Sequence, residues 1–126
     1  MAQSEIRRYT VEARSTHMFG RVLCSARQHH FIVDGPVQNG CPGEAINPGE
    51  LFLAGVAACG IELVQVIAKE QQLEPKSIEV EIEGAMDRAN PVRKDLSVFN
   101  TVDLHFRVEG VTHAQATDLI ERFKLR

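Results

Sequence analysis

The succession of hydropathy patterns along the 126 residues predicts an α+β fold in a single domain, residues 1–126. Short strand-like segments come first, a long apolar helix follows, and two further strands precede a final helix. Two patterns support this prediction. One is a helix whose apolar residues cover nearly its whole circumference, and the other is a strand in which apolar and acidic residues alternate strictly.

Three short strands are predicted in the N-terminal part of the chain, at residues 9–13, 21–25 and 29–34. Gly20 and several polar residues separate these strands from one another. Residues 34–44 are rich in glycine, proline and asparagine, which predicts a loop leading into the long helix.

The long helix is predicted over residues 48–69. Asn47 can cap its first free N–H groups, Pro48 suits the first helical position, and Glu50 places a negative charge in the first turn. Between residues 51 and 68 only Glu62 is charged. Apolar side chains surround the helix on nearly all sides: Leu51, Phe52, Leu53, Val56, Ile61, Leu63, Val64, Val66 and Ile67.

A helix of this kind is expected to be buried on all sides. One short chain offers little cover for it, so the sequence predicts a homodimer in which two copies share one core. A membrane span is the competing interpretation, because roughly 20 residues at about 1.5 Å each nearly cross a bilayer. Glu62 and Gln65, together with the polar strands on either side, argue against a membrane partner.

The C-terminal part of the chain is predicted to form two antiparallel strands and a helix. Residues 77–85 alternate between apolar and acidic side chains, and apolar residues recur at every second position over residues 96–108 except at Asn100. Residues 86–95 are predicted to be a loop between them. Residues 112–124 begin with a Thr112/Gln115 capping box and carry one apolar face, which predicts an amphipathic helix.

Composition narrows the class of partner and the compartment. The 14 basic and 17 acidic residues give a net charge of −3, which argues against a nucleic-acid or anionic-membrane partner and favours a small molecule. The first residues lack the apolar core of a secretory signal, so we expect a cytoplasmic protein. Cys24, Cys41 and Cys59 form no C-x-x-C pair, and reduced thiols are expected.

The five histidines do not predict a metal site. His29 and His30 are adjacent in a predicted strand and therefore point to opposite faces. The other three, His17, His105 and His113, show no ligand spacing. We therefore expect no metal and no other cofactor.

Cys59 is the candidate for chemistry, because it is a single thiol within the long apolar helix. A cysteine reacts as its thiolate, and an unperturbed pKa of about 8.5 leaves only a small reactive fraction at neutral pH. Cys59 lies about three turns into the helix, beyond the useful reach of the helix dipole. A reactive Cys59 therefore needs a cation from another segment, and otherwise it is a packing residue.

Several segments, in order, resemble the OsmC/Ohr family of thiol-dependent hydroperoxide reductases. They are the run Arg27-x-His29-x-Phe31-x-Val33-Asp34-Gly35-Pro36, a glycine-rich loop, Asn47-Pro48-Gly49-Glu50-Leu51 and Ala57-Ala58-Cys59. The resemblance continues through the strand at 101–108, Gly110 and the last helix. It implies an OsmC-like fold with antiparallel strands around a long buried central helix, and an intertwined homodimer. It also implies that Cys59 is the peroxidatic cysteine, which attacks an organic hydroperoxide and becomes a sulfenic acid.

The sequence departs from the family pattern at two places. Family reductases carry a second, resolving cysteine after the last helix, where this sequence reaches Arg126, so an external thiol reductant is expected. Gly49 stands where one branch of the family has an acid that holds the catalytic arginine, and Glu50 follows it. Glu50 is therefore expected either to pair with that arginine or to act only as a first-turn acid.

The resemblance also implies an arginine that stabilises the Cys59 thiolate. Arg14 matches best by its position at the end of the first predicted strand, with Arg21 and Arg27 as alternatives. Cys24 and Cys41 are expected to be structural, or to substitute for the resolving thiol if the fold brings one near Cys59.

The sequence thus predicts a thiol-dependent peroxidase that reduces organic hydroperoxides through Cys59, Arg14 and Glu50. The alternative is a non-catalytic protein of the same fold that binds a small apolar ligand beside Cys59.

Overall fold

The computed structural model describes residues 5–95 and 97–126 and has the predicted α+β architecture. These described residues form two sheets, two α-helices and a short 3-10 helix at Val37–Asn39. It divides into two compact units, Met1–Leu51 and Phe52–Arg126. The strands and α-helices, in order, are β1 (Glu12–Ser15), β2 (Arg21–Ala26), β3 (His29–Asp34), α1 (Pro48–Glu70), β4 (Ser77–Ala85), β5 (Thr101–Glu109) and α2 (His113–Phe123).

The first unit contains an antiparallel sheet in the order β1-β2-β3. β2 and β3 match the predicted strands within one residue. The first strand was predicted at 9–13 but begins at Glu12. Glu12 pairs with Ser25, and β2 ends one residue later at Ala26, where the chain turns into β3. Residues before Glu12 therefore have almost no part of β2 opposite them to pair with, and Tyr9 is 85% exposed.

The second unit contains the main hydrophobic core. Val64, Ile67 and Ala68 of α1 and Leu119 of α2 are fully or almost fully buried there. Partly buried apolar side chains from the surrounding elements complete this core: Leu73, Ile78, Phe106, Val108, Ile120 and Phe123. The α2 helix joins this core through the face that its amphipathic pattern predicted.

β4 and β5 form a two-stranded antiparallel sheet over the full length of both strands, from Ser77 opposite Glu109 to Ala85 opposite Thr101. The predicted bounds of β4 are confirmed. β5 was predicted from residue 96, but 97–100 are irregular, and Leu96 lies outside the described residues. The Asn100 side chain explains this later start. It accepts a hydrogen bond from the Asp87 N–H and donates one to the Asn90 carbonyl, which holds residue 100 against the preceding loop.

The Thr112/Gln115 capping box of α2 is confirmed. The Gln115 N–H donates to Thr112 Oγ1 at 3.1 Å, and the Thr112 N–H donates to Gln115 Oε1 at 2.9 Å. Two of the otherwise unpaired N–H groups at the start of the helix are satisfied in this way.

Within the single chain α1 is buried on one side only, and burial of its other sides by a second copy stays a prediction. Its buried residues are Gly60, Val64, Ile67 and Ala68, which lie together on one side. Phe52 and Val66, on the opposite side, are 58% and 41% exposed. The physical reason is the amount of cover, because β4, β5 and α2 contribute only one packed layer to this helix. By length and composition alone, α1 could also cross a membrane.

Leu119 is expected to carry a large share of the stability of the second unit. Replacing the fully buried Leu119 by alanine leaves a cavity between α1 and α2, and we expect it to lower the free energy of unfolding by about 3 kcal/mol. Leu125→Ala is the matched control, because Leu125 is 86% exposed. Urea unfolding followed by circular dichroism measures both variants. Equal stabilities of the two variants would contradict this description of the core.

Candidate functional site

Cys59 lies on the open side of α1 and is exposed in the chain. The next residue, Gly60, faces the core, where the position of a Cβ atom would be 3.2 Å from Phe106 Cζ. Phe52, Glu62 and Val66 are exposed and share the face of Cys59 by their helical spacing. The thiol is therefore held on the side of the helix that its own chain leaves uncovered.

The start of α1 is fixed by two reciprocal hydrogen bonds. The Glu50 N–H donates to Asn47 Oδ1 at 2.8 Å, and the Asn47 N–H donates to Glu50 Oε1 at 3.0 Å. Asn47 thus caps the helix as predicted, and Glu50 acts as the first-turn acid of a capping box. Of the two roles expected for Glu50, this one is observed. A pairing of Glu50 with an arginine stays a prediction.

A buried carboxylate, Asp34, connects the sheet of the first unit to the segment just before α1. Arg21 donates from Nε and Nη2 to the two Asp34 oxygens, both at 2.8 Å. The backbone N–H groups of Glu44 and Ala45 donate to Asp34 Oδ2 at 3.0 and 2.8 Å. The Asp34 N–H donates to the Ile46 carbonyl at 3.0 Å. Three successive residues before the cap of α1 are therefore bound to the end of β3.

Asp34, its partner Arg21 and the bound segment 44–46 form what we call the Asp34 anchor. The opposite charges of its side chains stabilise each other. The hydrogen bonds from Arg21 lower the pKa of Asp34 well below its usual range, against the opposing effect of burial. The bonds to Asp34, and then to Glu44, raise the pKa of Arg21. Arg21 also donates to Glu44 Oε1 at 3.0 Å. The sequence alone does not reveal this role of Asp34, because an aspartate at a strand end before Gly35-Pro36 has the ordinary pattern of a turn.

The three candidate arginines differ in what their side chains contact. The guanidinium of Arg21 is bound to Asp34 and Glu44, so Arg21 has a structural role. Arg27 lies in the β2–β3 turn with a positive φ of 56°. Arg14 lies on β1 opposite Leu23 and is exposed, and its side chain makes no hydrogen bond or ion pair to any described residue. Of the three candidates only Arg21 is held by other side chains, so Arg14 stays the predicted partner of Cys59 and Arg27 its alternative.

The protein family of this chain is established by its match to a family model. A family model for OsmC-like proteins matches residues 41–126, which include Asn47, Glu50 and Cys59. The chain belongs to the OsmC family. The family identified from the sequence motifs is therefore confirmed.

Solved structures of OsmC-family proteins share the fold of this chain. An OsmC-like protein from Mycoplasma pneumoniae superposes with a TM-score of 0.79 at 16% identity, over 95% of this chain and 82% of that one. An organic hydroperoxide resistance protein from Elizabethkingia anophelis, crystallised with thiocyanate bound, gives a TM-score of 0.76 at 21% identity, over 98% and 85%. An organic hydroperoxide resistance protein OsmC from Legionella pneumophila gives 0.73 at 22%, over 95% and 84%. No curated protein sequence matches this chain.

The other cysteines of this OsmC-family chain have different surroundings. Cys24 is buried in β2, and its exposed fraction is 8%. Cys41 is half-buried and packs against the backbones of Gly20 and Gly35, where its Sγ occupies the space that a Cβ atom would take. All three thiols are free. Over residues 5–95 and 97–126, no three His, Cys, Asp or Glu side chains are grouped so that they could hold a metal ion.

The two units divide the three predicted site residues between them. Arg14 and Glu50 belong to the first unit, and Cys59 belongs to the second. The second unit offers an accessible thiol on a helix, and the first unit offers a guanidinium on a sheet that has no partner among the described residues. A pairing of Arg14 with Cys59 stays a prediction.

The Asp34 anchor gives this OsmC-family protein a defined acid sensitivity. The folded-state pKa of Asp34 is depressed, so its contribution to stability is complete above its unfolded pKa of about 3.9 and is lost as the pH falls through the folded value. We expect Asp34→Asn to be less stable than the wild type at pH 7 and the difference to shrink steadily below about pH 4. Urea unfolding across this pH range measures it.

Asp118→Asn is the control, because Asp118 forms an exposed pair with Arg122 and should change stability little at any pH. A constant difference between wild type and Asp34→Asn from neutral to acidic pH would mean that the Asp34 charge is not what stabilises the anchor.

Proposed function

We propose that this OsmC-family protein is a thiol-dependent peroxidase that reduces organic hydroperoxides through Cys59. The observation that carries the proposal is the exposure of Cys59 on a helix that the family model includes. Relatives of the same fold are named organic hydroperoxide resistance proteins, which supports a role in peroxide stress. Cys24 is a poor alternative nucleophile because it is buried within the first unit.

The reaction follows from the chemistry of a thiolate. The Cys59 sulfur attacks the terminal oxygen of the hydroperoxide, an S–O bond forms, and the O–O bond breaks. The alkoxide leaves and takes a proton to become an alcohol. The sulfur is oxidised by two electrons to the sulfenic acid, and the peroxide is reduced by the same two electrons.

Arg14 is the proposed partner of the thiolate. A guanidinium is always protonated at physiological pH, so it stabilises the negative sulfur without titrating. Arg14 is exposed and has no partner among the described residues, whereas Arg21 is held by Asp34. Glu50 orients that arginine in this proposal through Oε2, because Oε1 accepts the hydrogen bond from Asn47.

Regeneration requires an external dithiol reductant. One thiol of the reductant attacks the sulfenic sulfur, which forms a mixed disulfide and releases water. The second thiol then displaces Cys59 as a free thiol and leaves the reductant oxidised. A cytoplasmic location, with neither membrane nor nucleic acid as partner, fits this requirement because thiol reductants are maintained there.

A homodimer is the proposed assembly. Phe52 and Val66 on one side of α1 are 58% and 41% exposed, and an exposed apolar surface of this kind is typical of a protein–protein contact. The exposed side of α1, with Phe52 and Val66, is the surface that we propose a second copy covers.

Cys59→Ser is expected to abolish turnover of tert-butyl and cumene hydroperoxide in the presence of a dithiol, because serine cannot form a sulfenic acid. Peroxide consumption measures turnover, and mass spectrometry with a sulfenic-acid trap locates the oxidised residue. Cys41→Ser is the matched control and should keep full activity.

Arg14→Ala should slow the reaction about 100-fold through loss of charge stabilisation, with Arg27→Ala as its control.

A wild-type protein that consumes neither hydroperoxide would overturn the peroxidase proposal. The alternative, a protein that binds a small apolar ligand beside Cys59, would then require that such a ligand protect Cys59 from alkylation.

Val66→Asp is expected to convert the protein from a dimer to a monomer at micromolar concentration, because it places a charge on the exposed apolar side of α1. Analytical ultracentrifugation measures the mass. Val92→Asp is the matched control, since Val92 lies in the 86–100 loop and is 61% exposed. A wild-type monomer with cooperative unfolding would contradict the dimer, and recovery of the wild type in the membrane fraction would identify lipid as the cover of α1.

A further inference from the structure

The loop between β4 and β5, residues 86–100, surrounds a cleft of its own, which we call the loop cleft. The cleft is open to solvent and has a volume of about 450 Å³, which is within the range of small-molecule sites. All of its lining residues belong to the second unit, and none belongs to α1. The lining includes three cationic and three apolar residues: Arg88, Arg93, Lys94, Met86, Pro91 and Val98.

Hydrogen bonds from Asn100 hold the two ends of this loop together. The Asn100 side chain accepts a bond from the Asp87 N–H and donates one to the Asn90 carbonyl, both at 2.7 Å. The Asn100 N–H also donates to the Ala85 carbonyl at 2.8 Å. These bonds order the backbone of the loop before a ligand binds, which lowers the entropic cost of binding.

The two acidic residues of the loop cleft, Asp87 and Asp95, are already bound by groups of the loop. Asp87 accepts hydrogen bonds from the Asn90 side chain and from the Ala89 N–H, each at 3.0 Å. These bonds lower the pKa of Asp87, so its carboxylate stays charged at neutral pH. Arg93 donates from Nε and Nη2 to the two Asp95 oxygens at 3.1 and 2.7 Å. Both carboxylates therefore have their own donors.

Arg88 and Lys94 are the cations that remain for a ligand. Their side chains make no hydrogen bond or ion pair with any other residue that the structure describes. Three cations and two carboxylates leave the loop cleft with one positive charge in excess. A ligand with a single negative charge neutralises this excess, whereas a phosphate dianion exceeds it and is repelled by the two fixed carboxylates.

We propose that the loop cleft binds a small organic monocarboxylate, whose charge is held by Arg88 and Lys94. A guanidinium binds a carboxylate through two parallel hydrogen bonds, and an ammonium adds a compact positive charge. The hydrocarbon part of the ligand lies against Met86, Pro91 and Val98. Met86 and Val98 are 45% and 40% exposed, so a ligand there removes apolar surface from water. This site goes beyond the proposed peroxidase function and does not rest on it.

Octanoate is the probe, because it joins one carboxylate to a short alkyl chain. A titration followed by the NMR shifts of the backbone amides should move signals of residues 86–98, with a Kd on the order of 1 mM or below. Octanol lacks the charge and acetate lacks the chain, so each should bind at least about tenfold more weakly. Octyl phosphate, a dianion at about pH 8, should also bind more weakly than octanoate.

Arg88→Gln and Lys94→Gln should each weaken octanoate binding about tenfold, because each removes one charge-assisted contact. Arg107→Gln is the matched control. It makes the same change of net charge on β5, outside the loop cleft, where Arg107 is exposed and its Nη1 lies 3.9 Å from Glu79 Oε2. Octanoate affinity should be unchanged in this variant.

Four results would overturn the proposal. The first is the absence of shifts in the loop amides up to about 10 mM octanoate, and the second is equal weakening by Arg107→Gln, which would assign the binding to overall charge. The third is octanol binding as tightly as octanoate, and the fourth is tighter binding of octyl phosphate. Peroxide turnover enters none of these measurements, so the loop cleft and the peroxidase function stand or fall separately.

Discussion

The hydrogen bonds and the ion pair of the buried Asp34 carboxylate are the interactions on which the position of the segment before α1 depends. A charge that is removed from water is tolerated only when it is paired and its oxygens accept hydrogen bonds. Asp34 meets this condition with two bonds from Arg21 and two from the backbone N–H groups of Glu44 and Ala45. These bonds hold the segment before α1, and the reciprocal Asn47–Glu50 bonds cap the start of the helix.

Local patterns in the sequence were sufficient for some elements and insufficient for others. The alternation in β4 and the Thr112/Gln115 box each depend on residues close together in sequence, and both predictions are confirmed. The start of β5 depends on Asn100 bonding to Asp87 and Asn90 across the loop, a contact that apolar alternation does not report. The Asp34 anchor is also non-local, because its partner Arg21 is thirteen residues away in the sequence.

The candidate site likewise includes a residue that local motifs identify and others that they do not. Cys59 was identified from motifs in its own helix, and the family was confirmed by a match that includes it. The arginine could not be selected from sequence, because spacing alone does not show that Arg21 is already bound by a buried acid. The apolar circumference of α1 predicts cover on all sides, the single chain supplies it on one side, and composition does not state what supplies the rest.

Cys59 and Gly60 are adjacent in α1, yet one is exposed and the other packs against the core. Substitutions that alter the surroundings of the thiol and substitutions that alter folding therefore fall at different positions. A Cβ atom at position 60 would lie 3.2 Å from Phe106 Cζ, so glycine lets α1 pack closely there, and Cys59 lies about 100° around the helix from that contact. Substitutions on the open side of α1 therefore alter what surrounds the sulfur without disturbing the packed side. Selection can therefore act on the surroundings of the thiol and on the packed core through different positions of one helix.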